Sequence, residues 1–320
     1  MGNKVAVVGD ISTDHFLMMD SRDRGVVHQG EAGDEKICFD YGEKIPVKKT
    51  LDSFGGSALN VAVSLNLQGA DVELASFLGR DFEGREAMGF LHSKQIGTDY
   101  INLDQTTNQS YIIVFESERT VLSNHLKRNY SRLKIPKSDY IYIASAGEGS
   151  DDLVNKIRAE VSRGAKLIFN PGSFEIKNFD LFKSLLPITS ILILNKDEAD
   201  RLFNASKIEG QLEQILASGA AVAVITDAKN GAYFGIPDQY FHMHAGVCDV
   251  VDPTGAGDGF SAGLLSGIIN GKSLEESSRW GMINSASIIN SFGANQRALT
   301  DDEIEKNAKK NNVLRFSQIK

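Results

Sequence analysis

Asp252-Pro253-Thr254-Gly255-Ala256-Gly257-Asp258, followed by a helical run over about 259–270, reads as a loop that opens directly into a helix. Gly255, Ala256 and Gly257 are small enough for backbone N–H groups to converge without side chains between them. The helix N-terminus behind them adds partial positive charge, so the turn suits a phosphate or a developing oxyanion. A carboxylate at the mouth of such a site would repel a bound phosphate. Asp258 therefore makes sense as the acceptor of a proton from an attacking hydroxyl or, more plainly, as a helix cap.

Outward from that loop the chain alternates. Segments 5–8, 72–77, 141–144, 167–169, 191–194 and 222–226 are short apolar runs with stretches of helical length between most of them. Strand–helix alternation implies right-handed crossovers and a parallel sheet with helices on both faces, and functional loops at the C-terminal strand ends. Those ends carry Asp10 and Asp14, Asn170-Pro171-Gly172, Asn195-Lys196-Asp197-Glu198, and Thr226 through Gly231. Capping suits Asp10 and ligand binding suits Asp14. Gly55-Gly56 precedes a helix over 57–67, either as a close-approach site for a ligand or as a simple strand-to-helix turn. Asn60 lies one turn into that helix, able to point back over the glycines.

Two stretches leave the alternation. Residues 22–49 turn polar, with Ile37, Phe39 and Tyr41, then Ile45 and Val47, suggesting short strands. Residues 110–122 read as a hairpin. Together they predict a small separate sheet. A later helix over 274–289 carries Ser277, Gly281, Asn284 and Ser285 on one face, which could accept a flat base or pack closely on another helix.

Composition narrows the function. With 42% hydrophobic and 24% charged residues the chain suits a globular protein with a buried core, and a formal charge of −8 argues against nucleic acid or an acidic membrane as partner. Two distant cysteines suggest neither a disulfide framework nor a zinc cluster, and a reduced cytoplasm is expected. Gly267-Ile268-Ile269-Asn270-Gly271-Lys272-Ser273 is one residue short of a P-loop and lacks its preceding strand, so it reads as a helix end followed by a helix start. His242, His244 and Cys248 lack further ligands at a metal-binding spacing.

With these pieces in place, the chain resembles the ribokinase (PfkB) family of carbohydrate kinases over nearly its whole length. Gly55-Gly56 with Asn60, and Gly79-Arg80-Asp81 through Gly84, are similar to that family's N-terminal signature. The stretch from Asp252 to Asp258, with Gly259-Phe260 and Gly263, is similar to its C-terminal signature, and Asn195-x-x-Glu198 to its N-x-x-E element. The resemblance implies one ribokinase-like α/β domain over residues 1–320, a doubly wound, mostly parallel sheet. It also implies a small β-lid formed by segments at approximately 15–54 and 108–124. It implies an ATP- and Mg2+-dependent kinase acting on a hydroxymethyl group of a sugar, with a nucleoside kinase or a non-catalytic sugar or nucleotide sensor as alternatives. Asp258 would be the base, and Gly255, Ala256 and Gly257 the anion hole. Asp14, Gly55, Gly56 and Asn60 would hold the acceptor. Asn195, Thr226, Gly231 and Asn284 (or a neighbour of Asn284) would bind nucleotide. Glu198 would act on Mg2+ through water, and the carbonyls of Asp252 and Thr254 match positions that bind K+ in many members. Pairing of two lids implies a homodimer. One departure is Ala228, where the family's T-x-G-x-x-G nucleotide loop has its first glycine; a left-handed backbone there costs alanine about 1 kcal/mol.

Overall fold

Val5, Ala6, Val7 and Val8 are all fully buried, and a strand with no polar face must be covered on both sides. The computed structural model describes residues 4–19, 26–29, 35–115, 118–246, 248–310 and 314–319. In chain order the first elements are β1 (Lys4–Val8), β2 (Ser12–Met18), β3 (Val26–Gln29), β4 (Glu35–Cys38), β5 (Lys49–Gly55), α1 (Ser57–Leu67), β6 (Asp71–Gly79) and α2 (Phe82–Ser93). Then come β7 (Ile101–Asp104), β8 (Asn108–Phe115), β9 (Glu118–Asn124), β10 (Tyr140–Ile143), α3 (Leu153–Ser162), β11 (Lys166–Phe169), α4 (Ser173–Lys177), α5 (Phe179–Leu185) and β12 (Thr189–Asn195). The rest are α6 (Lys196–Leu202), α7 (Ile208–Ala217), β13 (Val222–Thr226), β14 (Ala232–Ile236), β15 (Gln239–Met243), α8 (Ala256–Ile269), α9 (Leu274–Ile288), α10 (Asp301–Lys310) and β16 (Phe316–Gln318).

The main sheet has ten strands in the order β16-β15-β14-β13-β12-β11-β10-β1-β6-β7. From β7 to β13 all pairings are parallel; β14, β15 and β16 extend the edge antiparallel. Alternate residues of β1 serve opposite faces. Val5 and Val7 join one apolar cluster with α1, α2, α8 and α9, and Ala6 and Val8 join another with α3, α5 and α7. Strand order runs outward from β1 in both directions, to β6 on one side and β10 on the other. That reversal opens a crevice at the C-terminal ends of β1 and β10, where α/β sheets take ligands.

A second sheet of four strands, ordered β5-β2-β8-β9, stands beside the first, and β3 pairs with β4 alone. β2 lies parallel to β8 and antiparallel to β5, register placing Asp14 opposite Ser110 and Ser53. The expected strand around Ile45 and Val47 does not form: β4 ends at Cys38 and residues 39–48 are irregular. Phe39, Tyr41 and Val47 are exposed, so their alternation has no apolar surface to pack on. The turn of the expected hairpin lies outside the described residues, but β8 and β9 pair as predicted.

α8 and α9 pack closely because small residues line their contact. A Cβ on Gly263 would meet the Trp280 carbonyl oxygen at 2.6 Å, and one on Gly267 would meet Ser277 Cα at 2.7 Å. That packing accounts for Ser277 and Gly281, the alternative to a base-binding face. The P-loop-like stretch is a helix end and start, with Ser273 capping α9 and Glu276 completing the capping box. No described helix is long and apolar enough to cross a membrane.

Candidate active site

α8 begins earlier than the glycine pattern suggests, at Ala256, with Gly255 as its N-cap at φ +78°. A Cβ at Gly255 would stand 2.6 Å from the backbone oxygen of Ala294, so glycine is required on both conformational and steric grounds. The first-turn amides, those of Ala256, Gly257 and Asp258, have no intrahelical acceptor, and that of Ala256 reaches the Pro253 carbonyl at 3.3 Å. Asp258 makes no capping bond. Its Oδ2 instead accepts from Asn60 Nδ2 at 2.8 Å, and Ser57 also hydrogen-bonds the carboxylate. The capping alternative for Asp258 is thus not realised.

The orientation of Asn60 is itself fixed. Asn295 Nδ2 donates to Asn60 Oδ1 at 2.9 Å and to the Phe54 carbonyl at 2.9 Å, which turns the Asn60 amide nitrogen toward Asp258. Burial raises the Asp258 carboxyl to about 6; the Asn60 and Ser57 hydrogen bonds oppose the rise and Asp14 adds to it. Burial likewise raises Asp14, against hydrogen bonds from Ser12 and Ser110. Asp14 explains Gly55: a Cβ there would lie 2.0 Å from Asp14 Oδ2. A Cβ at Gly56 would meet the Asp10 carbonyl at 2.6 Å. The double glycine therefore lets strand and turn close on the carboxylates.

Two cavities meet at the start of α8. One, of about 370 Å³, is lined by Asn170, Asn195, Glu198, Thr226, the glycine loop and Asp258. The other, of about 500 Å³, is mostly apolar, lined by Ala228, Gly231, Val250, Met282, Ala286 and Ile289 among others. Thr226, Pro253, Ala256 and Gly257 line both. The predicted residues Asp258, Gly255, Ala256, Gly257, Asn195, Glu198 and Thr226 thus share one cavity, and Gly231 faces the next. Asp14, Gly55, Gly56 and Asn60 stand beyond that lining and are joined to it through the Asn60–Asp258 bond. Asn195 and Glu198 form a capping box at α6, using Glu198 Oε2; burial raises the Glu198 carboxyl.

Asn284 does not face the nucleotide-sized cavity. It is fully buried, its amide nitrogen donating to the Gly259 carbonyl and its oxygen accepting from Leu299 N–H. It ties two helices and a loop together, and its neighbours Met282, Ser285 and Ala286 line the cavity instead. Asp252 and Thr254 hold a guanidinium: Arg119 Nη1 lies 2.6 Å from Asp252 Oδ1 and 2.6 Å from Thr254 Oγ1. Asp252 Oδ2 accepts from Gly293 N–H. Ala228 sits at φ +42°, the left-handed backbone that the missing glycine would have taken freely.

Arg119 and Asn295 went unread in the sequence. Each reaches the site across a long separation, 133 residues from Asp252 and 235 from Asn60, and neither belongs to a local motif.

Over residues 4–301 the sequence matches the family described as pfkB family carbohydrate kinase. An ATP-dependent 6-phosphofructokinase of Thermoanaerobacterium thermosaccharolyticum is 25% identical over 300 residues, covering 87% of this chain and 92% of that protein. The crystal structure of Methanocaldococcus jannaschii nucleoside kinase superposes with a TM-score of 0.79 at 20% identity, over 97% of this chain and 100% of that one. Arabidopsis thaliana ribokinase complexed with ribose and ATP gives 0.78 at 17% identity, over 97% and 99%. A ribokinase-like sheet, a match spanning nearly the whole chain and kinases among its relatives lead to one assignment: the chain belongs to the pfkB family of carbohydrate kinases.

Proposed function

We propose that this protein transfers the γ-phosphoryl group of ATP to a hydroxymethyl group of an uncharged sugar, in the manner of a ribokinase or fructokinase. The observation that carries the reading is the Asp258 carboxylate in the first turn of α8, held by Asn60 and sharing a cavity with the start of that helix. Asp258 takes the proton of the acceptor hydroxyl as that oxygen bonds to phosphorus. The bond from phosphorus to the β-phosphate oxygen breaks, and ADP leaves. The amides of Gly255, Ala256 and Gly257 receive the charge on the transferring group. The adenine fits the apolar cavity beside Met282 and Ala286, its phosphates passing Thr226 and Gly231 toward α8.

Mg2+ fits the donor set. Glu198 keeps Oε1 clear of its capping contact at the cavity wall. No group of three or more His, Cys, Asp or Glu side chains among the described residues could form a full cage, so the ion would be held largely by phosphate and water, as is usual for it. Bound there, it would neutralise charge on the phosphates. K+ would sit on the backbone carbonyls of Asp252 and Thr254. The Asp252 carboxylate already has the Arg119 guanidinium as counter-charge, so no step is assigned to that ion.

The second sheet is read as a lid, from segments near 15–54 and 108–124, closing over the acceptor and excluding water. Its edges β5 and β9, the latter with Val121 and Leu122 exposed, suit pairing with a second copy, which light scattering would report as a dimer. Cys38 and Cys248 are both free, in keeping with a reducing cytoplasm. Coupled ADP detection over ribose, fructose, adenosine, inosine and fructose 6-phosphate tests the reading. Turnover with an uncharged sugar supports it. Product from nucleosides alone favours the second reading, a nucleoside kinase, to which the name of the M. jannaschii relative lends weight. No ADP release with any acceptor refutes both and favours a sensor.

A further inference from the structure

Asp10 lies two residues past the end of β1, and a cap is its ordinary explanation. Its backbone N–H is already used on the Ser145 carbonyl at 2.8 Å, and its side chain makes no capping bond. Oδ2 meets His125 Nδ1 at 3.1 Å. Oδ1 is buried with no partner among the described residues. His125 directly follows β9, so the residue that holds Asp10 comes from the arm of the second sheet.

Asp10 lies among Asp14, Asp258 and Glu175, whose charges all bear on it. The others have work to do. Glu175 accepts from the Gly147 and Gly172 amides and from Ser150. Asp14 Oδ1 accepts from Ser12, and Asp258 is held by Asn60. A buried carboxyl oxygen left without a partner is costly and rare in native folds. Here it sits beside the proposed base and the residues read as holding the acceptor.

We infer that Asp10, oriented by His125, is a second hydroxyl-binding carboxyl of the acceptor site. Its Oδ1 takes an acceptor hydroxyl other than the one phosphorylated, so the acceptor is a polyol that spans Asp10 and Asp258. The inference rests on the kinase reading above. Burial, with Glu175, Asp258 and Asp14 adding to it, raises Asp10 to about 8. Burial and Arg128 lower His125. The pair is then neutral overall at pH 7, adding no charge beside Asp14 and Asp258. A protonated carboxyl both donates and accepts, as a hydroxyl partner does.

The test uses the full-length enzyme, its best acceptor from the panel and a series of that acceptor lacking one hydroxyl at a time. Asp10→Asn and Asp10→Ala should raise the acceptor KM by about tenfold, with the KM for ATP unmoved. His125→Gln should raise it less. One deoxy analogue should be a poor substrate for wild type yet suffer no added loss in Asp10→Ala, the signature of a lost residue–hydroxyl contact. Asp10→Asn is nearly isosteric and covers the case in which alanine fails to fold. An unchanged acceptor KM, or a deoxy series penalised equally in wild type and variants, overturns the inference while leaving the kinase reading intact. Wild type that turns over no acceptor overturns the kinase reading itself.

Discussion

Replacing the proposed base with its neutral isostere should cut turnover steeply and at the same time stabilise the fold. Asp258 is raised from 3.8 to about 6 because burial disfavours its charge. A folded-state pKa above the unfolded one means that the native protein holds the proton more tightly. The stability due to this group is therefore fully present below about pH 4, is lost as pH rises through about 6, and is flat above that. Two pH units at about 1.4 kcal/mol each make the loss at pH 7 about 3 kcal/mol. Asparagine has no charge to desolvate and can still offer an oxygen to Asn60 Nδ2. Denaturant unfolding should show Asp258→Asn more stable than wild type by up to about 3 kcal/mol at pH 7, with the gap roughly halved near pH 5. In the same variant kcat should fall by about a hundredfold or more. For wild type, kcat/KM should climb about tenfold per pH unit up to about pH 6 and then level. A stability gap that is missing at pH 7, or equal at both pH values, would refute the placement of an ionised carboxylate in a desolvated gap.

Glycines 255 and 257 should part company. Gly255→Ala, at φ +78° and against Ala294, should lower stability by about 1 kcal/mol or more. Gly257→Ala meets nothing within 4 Å, so its melting temperature should hold while the methyl crowds the anion site and kcat/KM drops about tenfold; full activity would remove the anion hole. Ala228→Gly should gain about 1 kcal/mol by relieving the left-handed alanine at φ +42°, read from the denaturant midpoint. Asn295→Leu frees the Asn60 amide to flip, and kcat should fall about tenfold with the ATP KM unmoved; an unaltered kcat would show that Asn60 orients itself.

The main sheet was legible because strands buried on both faces leave uninterrupted apolar runs, as in Val5 to Val8 and Ile191 to Leu194. β2 was not legible. It carries Ser12, Asp14 and His15 because part of it faces carboxylates and the second sheet rather than an apolar core, and no hydrophobic period survives. The phosphate side of the site was readable since Gly255, Ala256, Gly257 and Asp258 are contiguous, and a helix start does the rest by local geometry. Arg119, His125 and Asn295 owe their roles to approach through the fold, and nothing next to them in sequence marks it. Asn284 misled for the converse reason: a polar residue on a small-residue face reads as ligand-directed, but its amide completes the bonding of the Gly259 carbonyl and the Leu299 amide deep inside.

Two opposed fields act on Asp258, and their balance bears on the acceptor as well as the base. Hydrogen bonds from Asn60 and Ser57 favour the carboxylate, while burial and Asp14 disfavour it, leaving the group near 6, ionised at neutral pH yet basic enough to take a proton. Strip away Asp14 and the base weakens; strip away the Asn60 and Ser57 hydrogen bonds and it keeps its proton to higher pH. Among the described residues, Arg119 and His15 of the second sheet and His125 just after it are each already paired with an aspartate. A phosphorylated or carboxylated acceptor would thus bring its charge against Asp14 and Asp258 with no unpaired cation among these residues to receive it. A neutral polyol brings hydroxyl donors instead, which is what buried carboxyl oxygens lack. On the kinase reading proposed above, the electrostatics that make Asp258 a usable base would also disfavour a charged acceptor.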